Sequence, residues 1–371
     1  MQFIDLISQQ KRIRSKIEAG LKKILDHGRY INGPEIEELE KSLAEYTGAT
    51  FALGVSSGTD ALVMPLMMKG VGPGDAVFCP TFTFAASAEV VAFLKAEPIL
   101  VDIDPLTFNM DTDHLRARIA EVKKDGRLKP KGIIPVDLFG QIADYKAIQE
   151  MADDEGLFVI EDAAQSFGAE QHGKKAGTMA SLAATSFFPA KPLGGYGDGG
   201  MIFCDDADTF GQLKSIREHG YGSDRYIYER IGLNGRLDSF QAAVLLAKME
   251  IFKDEMDLRQ QVAKRYEVGL KGLVTTPTIL AGNRSAWAQY TIKTDHREQI
   301  RNVLSQAGIP TAIYYPIPLH QQPIYQNHYN YTGVCPNAEA ICPQVMSLPF
   351  HPYLEEADQD RICIAVASAL R

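Results

Sequence analysis

Leu157-Phe158-Val159-Ile160-Glu161-Asp162-Ala163-Ala164-Gln165 is a short apolar run that ends on acids and then small residues. Branched and aromatic residues over this length read as a buried strand, Leu157–Glu161, with its exit at Asp162. Outward from it, runs of the same kind recur. Phe51–Val55, Ala76–Cys79, Pro98–Asp102 and Gly132–Val136 precede it, and Ala183–Phe188 and Gly200–Cys204 follow it. Gly, Pro, Asp or Ser bounds each run, and helical patterns fill the intervals. Strands separated by helices imply an α/β fold with a mainly parallel sheet covered on both faces. Ligands on such sheets bind beyond the carboxyl ends of the strands. Ser57, Gly58, the stretch Phe82 to Phe84, Asp162 and Lys191 all fall there.

Lys191 closes Thr185-Ser186-Phe187-Phe188-Pro189-Ala190-Lys191 and precedes Gly194-Gly195-Tyr196-Gly197-Asp198-Gly199-Gly200. Most lysines are solvated surface residues. This one has an aromatic pair before it and a glycine-rich surround after it, which permits close approach of backbone and ligand. With a strand-end carboxylate nearby, the grouping suits a lysine that carries a carbonyl cofactor as a Schiff base. Asp162 reads either as a helix N-cap or as a buried carboxylate that keeps a pyridinium nitrogen protonated. Gln165 is close enough along the chain to reach the phenolic oxygen of such a ring.

Ser56-Ser57-Gly58-Thr59-Asp60-Ala61-Leu62 follows a strand and opens a helix. Its first N–H groups suit a phosphate, with Thr59 adding a hydroxyl; a plain capping motif is the other reading. Asp60 favours the helix dipole, but its charge should point away from a phosphate. Ser186 is a further donor to that phosphate. Pro65 should kink the helix or stop it near Leu62. Within Pro80–Phe84 an aromatic can lie flat on a cofactor ring, although Phe82 itself fits ordinary core packing better.

The chain has 371 residues, which suggests two domains. Leu237 to about Leu270 reads as one or two long helices. A second α/β pattern follows: a strand at Ala288–Lys293, a helix at Arg297–Ala307, and a strand at Pro310–Tyr315. The expected division is 1–240 and 241–371. Hydrophobic content of 45% and charged content of 23% are ordinary for a globular chain. A net charge of −9 argues against a nucleic-acid partner. Five cysteines without a CxxC pair imply neither a disulfide framework nor a zinc site, and Cys79 and Cys204 read as inert core. No metal is expected. Without a signal-like start or an apolar span of membrane length, the expected setting is cytoplasmic.

Ser57-Gly58-Thr59-Asp60-Ala61-Leu62, Glu161-Asp162-Ala163-Ala164-Gln165, Ser186-Phe187-Phe188-Pro189-Ala190-Lys191 and Gly232-Leu233-Asn234-Gly235-Arg236 together resemble the DegT-type sugar-nucleotide aminotransferases. Gly28-Arg29-Tyr30-Ile31-Asn32-Gly33-Pro34 also fits, so the resemblance covers nearly the whole chain. It implies the aspartate-aminotransferase-like fold of pyridoxal 5′-phosphate (PLP) enzymes, with a seven-stranded sheet in the large domain and a smaller C-terminal α/β domain. Lys191 then matches the cofactor-carrying lysine and proton shuttle, Asp162 the pyridinium partner, Gln165 the neighbour of the ring oxygen and Phe84 the stacking aromatic. Gly58, Thr59, Asp60 and Ser186 match the phosphate cradle, with backbone donation at Asp60. Asn234 matches a residue that reaches the cofactor phosphate of a neighbouring subunit, which implies a homodimer with shared active sites.

Some relatives carry histidine in place of this lysine and deoxygenate their substrates, so the resemblance implies transamination here. L-glutamate is the expected amino donor and a nucleotide-linked keto sugar the acceptor. Ile313-Tyr314-Tyr315-Pro316-Ile317-Pro318-Leu319-His320 and Ser285-Ala286-Trp287-Ala288-Gln289-Tyr290 resemble the branch acting on 3-keto sugars, above all on UDP-linked 3-oxo N-acetylglucosaminuronate for bacterial surface polysaccharide. A 4-keto sugar nucleotide is the alternative substrate, and a PLP-binding regulator without turnover the alternative function. A uronate carboxylate calls for a guanidinium. Arg236 is the candidate, unless it pairs with Asp238. Tyr314, Tyr315 and His320 are the candidate sugar-pocket residues.

Overall fold

The computed structural model describes residues 1–224, 226–329 and 333–371. Seven strands form the main sheet: β1 (Phe51–Val55), β2 (Asp75–Pro80), β3 (Glu97–Val101), β4 (Lys129–Ile133), β5 (Phe158–Asp162), β6 (Leu182–Ser186) and β7 (Gly200–Cys204). In this numbering their spatial order is β1-β7-β6-β5-β4-β2-β3. Neighbours from β6 through β5, β4, β2 and β3 run parallel. Only β7 is antiparallel to its neighbours. Each expected run is therefore a strand, with ends moved by up to three residues.

Alternation along the strands explains why both faces are covered. Ala76 and Phe78 join one apolar cluster, while Val77 and Cys79 join the other. Met201 and Phe203 likewise separate from Ile202 and Cys204. Side chains on a strand point to opposite faces in turn, so two-sided burial needs a continuous apolar run. One face packs against α2 (Pro34–Thr47), and the other against α3 (Gly58–Met68) and α4 (Ala86–Phe93).

Two expectations fail here. The helix that begins at Gly58 does not stop near Leu62 but continues through Pro65 to Met68. Ala61 through Leu66 are all buried, and that packing outweighs the hydrogen bond the proline removes. Pro310–Tyr315 is not a strand either. It makes a single bridge, Ala312 to Ser347, before leaving the sheet. The strand at Tyr290–Lys293 pairs instead with Val345–Leu348, which sequence reading missed.

A single helix of 32 residues, Ser239–Leu270, links the halves. From Val262 onward the chain has an apolar cluster of its own, which includes Tyr266, Trp287, Tyr290, Ile300 and Ile362. No helix among the described residues is long and apolar enough to cross a membrane.

Candidate active site

A cavity of about 620 Å³ opens at the carboxyl ends of the parallel strands. It gathers Ser57, Gly58 and Thr59 after β1, Phe84 after β2, Asp162 at the end of β5, and Ser186 and Lys191 from β6 and its exit. Gln165, Tyr314 and Tyr315 line it as well. Most of the residues singled out from sequence thus meet in one place. Phe84 stays 59% exposed at its mouth, a position open to a flat ring, whereas Phe82 is wholly buried, as core packing required.

Asp162 is neither surface nor helix cap. It ends a strand, and only a turn follows. Its Oδ2 accepts from the Ser87 hydroxyl at 2.9 Å and its Oδ1 from the Ala164 N–H at 3.2 Å. Burial raises its pKa, while the Ser87 hydroxyl, the Ala164 N–H and Lys191 oppose that rise. Two more buried acids lie beside it. Burial drives Asp137 up to about 7, with the charge of Asp162 adding to the effect. Burial also holds Glu161 well above the usual carboxylate range. Of the three acids, Asp162 is the one that lines the cavity, where it can face a cation. Lys191 has its pKa lowered by burial, with Asp162 pulling the other way. A larger share of its amine is then free of a proton near neutrality than in a solvated lysine.

Glycine makes the phosphate end of the cavity possible. A Cβ on Gly58 would lie 2.5 Å from the Ser186 Cβ, and one on Gly200 would lie 2.4 Å from the Ser57 carbonyl oxygen. The turn at Ser57 can thus sit directly on the starts and ends of β6 and β7. Ser57 caps α3, accepting from the Asp60 N–H at 3.0 Å. That contact corrects the reading of Asp60. Its N–H is already used, its carboxylate accepts from the Ser56 hydroxyl, and it is absent from the cavity wall. The N–H groups of Gly58 and Thr59 remain for an anion.

Gln165 is held in one orientation. Its Oε1 accepts from the Phe139 N–H at 2.9 Å, so its Nε2 faces the Tyr315 hydroxyl at 3.3 Å. Three expected residues are not brought to the cavity. His320 is buried, with Nδ1 2.7 Å from Thr81 Oγ1 and Nε2 3.0 Å from Glu339 Oε1. It clasps the segment that follows Tyr315 instead of lining a sugar pocket. Arg236 makes a backbone bridge to Val55, and among the described residues it forms no ion pair with Asp238. Asn234 is exposed and bridges to Glu218.

Sequence reading missed Ser87, Thr83, Asp198 and Gln289. The last three line the cavity together with Ser87. Thr83 Oγ1 and Gln289 Oε1 are buried without a hydrogen-bond partner among the described residues. Buried polar atoms are rarely left so, and two of them in one cavity mark a place for a polar ligand. These features fit pyridoxal phosphate: an acid for a ring nitrogen, an amine for a carbonyl, helix N–H groups for a phosphate, and an exposed phenylalanine beside them. No sequence motif pointed to Ser87, and Gln289 stood inside the stretch 285–290 without being singled out, because each acts only once the fold brings it near.

Comparison with known proteins adds three findings. Residues 11–367 match the model of the DegT/DnrJ/EryC1/StrS aminotransferase family. The chain is 48% identical over 369 residues to a UDP-2-acetamido-2-deoxy-3-oxo-D-glucuronate aminotransferase of Pseudomonas aeruginosa, covering 99% of this chain and 100% of the relative. It is 38% identical to a UDP-N-acetyl-3-dehydro-alpha-D-glucosamine 3-aminotransferase of Acidithiobacillus ferrooxidans, covering 99% and 97%. Among solved structures, a DegT DnrJ EryC1 StrS aminotransferase from Brucella abortus superposes with a TM-score of 0.98 at 50% identity, covering 100% of this chain and 99% of the other.

Proposed function

Because this chain belongs to the DegT/DnrJ/EryC1/StrS aminotransferase family, we propose that it moves an amino group from L-glutamate to C3 of UDP-2-acetamido-2-deoxy-3-oxo-glucuronate. It is a PLP-dependent aminotransferase with the fold of the sugar aminotransferases. One observation carries the catalytic reading: Lys191 and Asp162 line the same cavity, where burial lowers the lysine's pKa and raises the acid's while each charge opposes the other's shift. The relative at 48% identity supports the choice of sugar.

Bound in this cavity, the cofactor supplies a protonated ring that spreads the negative charge of a carbon losing its proton. Asp162 keeps the proton on the ring nitrogen. The Lys191 Nζ takes the proton from the α-carbon of the amino donor and later returns one to C3 of the sugar. Gly58, Thr59 and Ser186 would hold the phosphate, and Phe84 would offer its face to the ring. Gln165 presents Nε2 toward the ring oxygen.

Asn234 and Arg236 lie outside this chain's own cavity, as a role at a neighbouring subunit's site requires. On the family resemblance alone we read the protein as a homodimer with shared sites, Asn234 serving the neighbour's phosphate, and we assign Arg236 to the substrate carboxylate. The reading places the enzyme in the cytoplasm, supplying amino sugars for bacterial surface polysaccharide such as lipopolysaccharide. It divides the chain into a large domain, 1–240, and a small one, 241–371, on the strength of the separate apolar cluster beyond Val262.

The deciding assay offers glutamate with UDP-linked 3-keto and 4-keto sugars side by side and reads the products by mass. Amination of the 3-oxo uronate is expected to dominate. Preference for a 4-keto sugar would replace the proposed substrate while leaving the aminotransferase intact.

A further inference from the structure

Lys248 sits in the middle of the long helix Ser239–Leu270 and is only 1% exposed. Its Nζ donates to the carbonyl of Gly194 and lies 4.5 Å from the centroid of the Tyr196 ring. Among the described residues it forms no ion pair with a carboxylate. A lysine without a paired acid is costly to bury, and burial pulls its pKa down to about 8, with Glu255 opposing. Packing alone is better served by an apolar side chain, so the amine's contacts are the feature to explain.

The carbonyl it holds belongs to the turn that carries Lys191. Phe187 donates its N–H to the Gly199 carbonyl at 2.8 Å, and Gly195 donates to the Phe187 carbonyl at 2.7 Å. These two bonds pinch the chain on both sides of Lys191. Within the pinch, the Lys191 N–H donates to Phe188 at 2.8 Å. Gly194 is pressed against the same turn: a Cβ there would lie 2.4 Å from the Pro189 carbonyl oxygen. Any shift of Gly194 is therefore passed to Pro189 and onward to Lys191. The Gln241 Oε1, from the same helix, accepts from the Tyr196 N–H at 2.8 Å and fixes the next residue pair.

We propose that Lys248 is a positioning residue: by holding the Gly194 carbonyl it fixes the turn 188–195 and so sets where the Lys191 amine stands. The proposal rests on Lys191 being the reacting amine. Lys248 itself touches neither cofactor nor substrate. Its contribution is to a distance, and an error of about 1 Å in placing a reacting group can cost on the order of 100-fold in rate.

The test uses the full-length chain with Lys248→Gln and, separately, Tyr196→Leu. Tyr196 is 37% exposed, so its variant should fold even if the buried substitution does not. Two quantities are read: the rate at which glutamate bleaches the visible cofactor band in a single turnover, and amide hydrogen exchange over residues 188–197 in protein without cofactor. Lys248→Gln is expected to slow bleaching at least about 10-fold, with the half-saturating glutamate concentration unchanged and faster exchange confined to that segment. Tyr196→Leu should move both readouts less, in the same direction. Wild-type bleaching serves as the control for the reaction itself; if it is absent, the transaminase reading fails and hydrogen exchange still reports on the clamp. Wild-type rates and exchange in Lys248→Gln overturn the proposal. Should that variant not fold, unchanged rate and exchange in Tyr196→Leu overturn it.

Discussion

The wall of the cavity that holds Asp162 and Lys191 and the wall that holds Gln289, Tyr314 and Tyr315 are built in different ways. On the first, every side chain lies within a few residues of a strand end, and the strands are packed on both faces. On the second, the segment after Ala312 has one backbone bridge and is then held by side chains and one further backbone bond. His320 ties it to Thr81 and Glu339, the Leu319 N–H donates to the Thr81 carbonyl at 2.7 Å, and Tyr315 meets Gln165. A reacting group needs a rigid base. A wall that only chooses the substrate can stand on loops, where sequence changes cost little stability. The first wall should therefore govern rate and the second selectivity.

Removing the amine is the harshest way to break this division. Lys191→Ala is expected to cut turnover by about four orders of magnitude or more, whatever sugar is offered. Borohydride reduction of the PLP-loaded protein should tag wild type at Lys191 and leave the variant untagged. Turnover that survives in Lys191→Ala would transfer the proton work to another group.

Asp162→Asn tests the same wall more gently. An asparagine can still accept from the Ala164 N–H and meet the Ser87 hydroxyl, so the melting temperature should stay within a few degrees of wild type. The charge that holds the ring proton is lost, and bleaching by glutamate should slow about 100-fold or more. Stopped-flow absorbance and calorimetry on one preparation decide it. Near-normal bleaching would mean that the ring nitrogen has another partner.

The same contrast explains what sequence made legible. Asp162, Lys191, Gly58 and Ser186 were readable because a strand followed by a breaker places them at a known edge of a known sheet. Phe84 and Gln165 followed from the same logic, one turn further out. Most strands were readable because two-sided burial demands apolar runs; β4 opens on Lys129, Pro130 and Lys131, so only Gly132 and Ile133 fell within the expected run. Of the two outcomes expected at Pro65, a kink or a stop, the stop failed because burial of Ala61 through Leu66 outweighs the hydrogen bond the proline removes. The Pro310–Tyr315 run misled because its apolar residues face aromatic neighbours, such as Phe82 and Phe3, instead of a strand. His320 looked like a pocket residue because it follows the tyrosines, and nothing local revealed that Glu339 would claim it. Ser87 carried no local mark, since its partner Asp162 lies far along the chain and is invisible before folding; Gln289 stood inside the stretch 285–290, but nothing there told it from its neighbours.

Gln289 offers the smallest and sharpest test of the second wall. Its Oε1 is buried without a partner among the described residues and lines the cavity, so it is placed to accept an N–H or O–H from a ligand. A sugar hydroxyl or an acetamido N–H supplies one. Gln289→Leu removes the acceptor while keeping much of the bulk. Losing one neutral hydrogen bond should raise KM for the keto sugar about 10-fold, with the glutamate half of the reaction unchanged. Stability should hold or rise, because an unsatisfied buried acceptor costs free energy that leucine does not. Steady-state kinetics with sugar varied, beside single-turnover bleaching by glutamate, separate the two halves. If both halves slow together, Gln289 belongs to the rate-setting wall, and the line drawn between the two walls is in the wrong place.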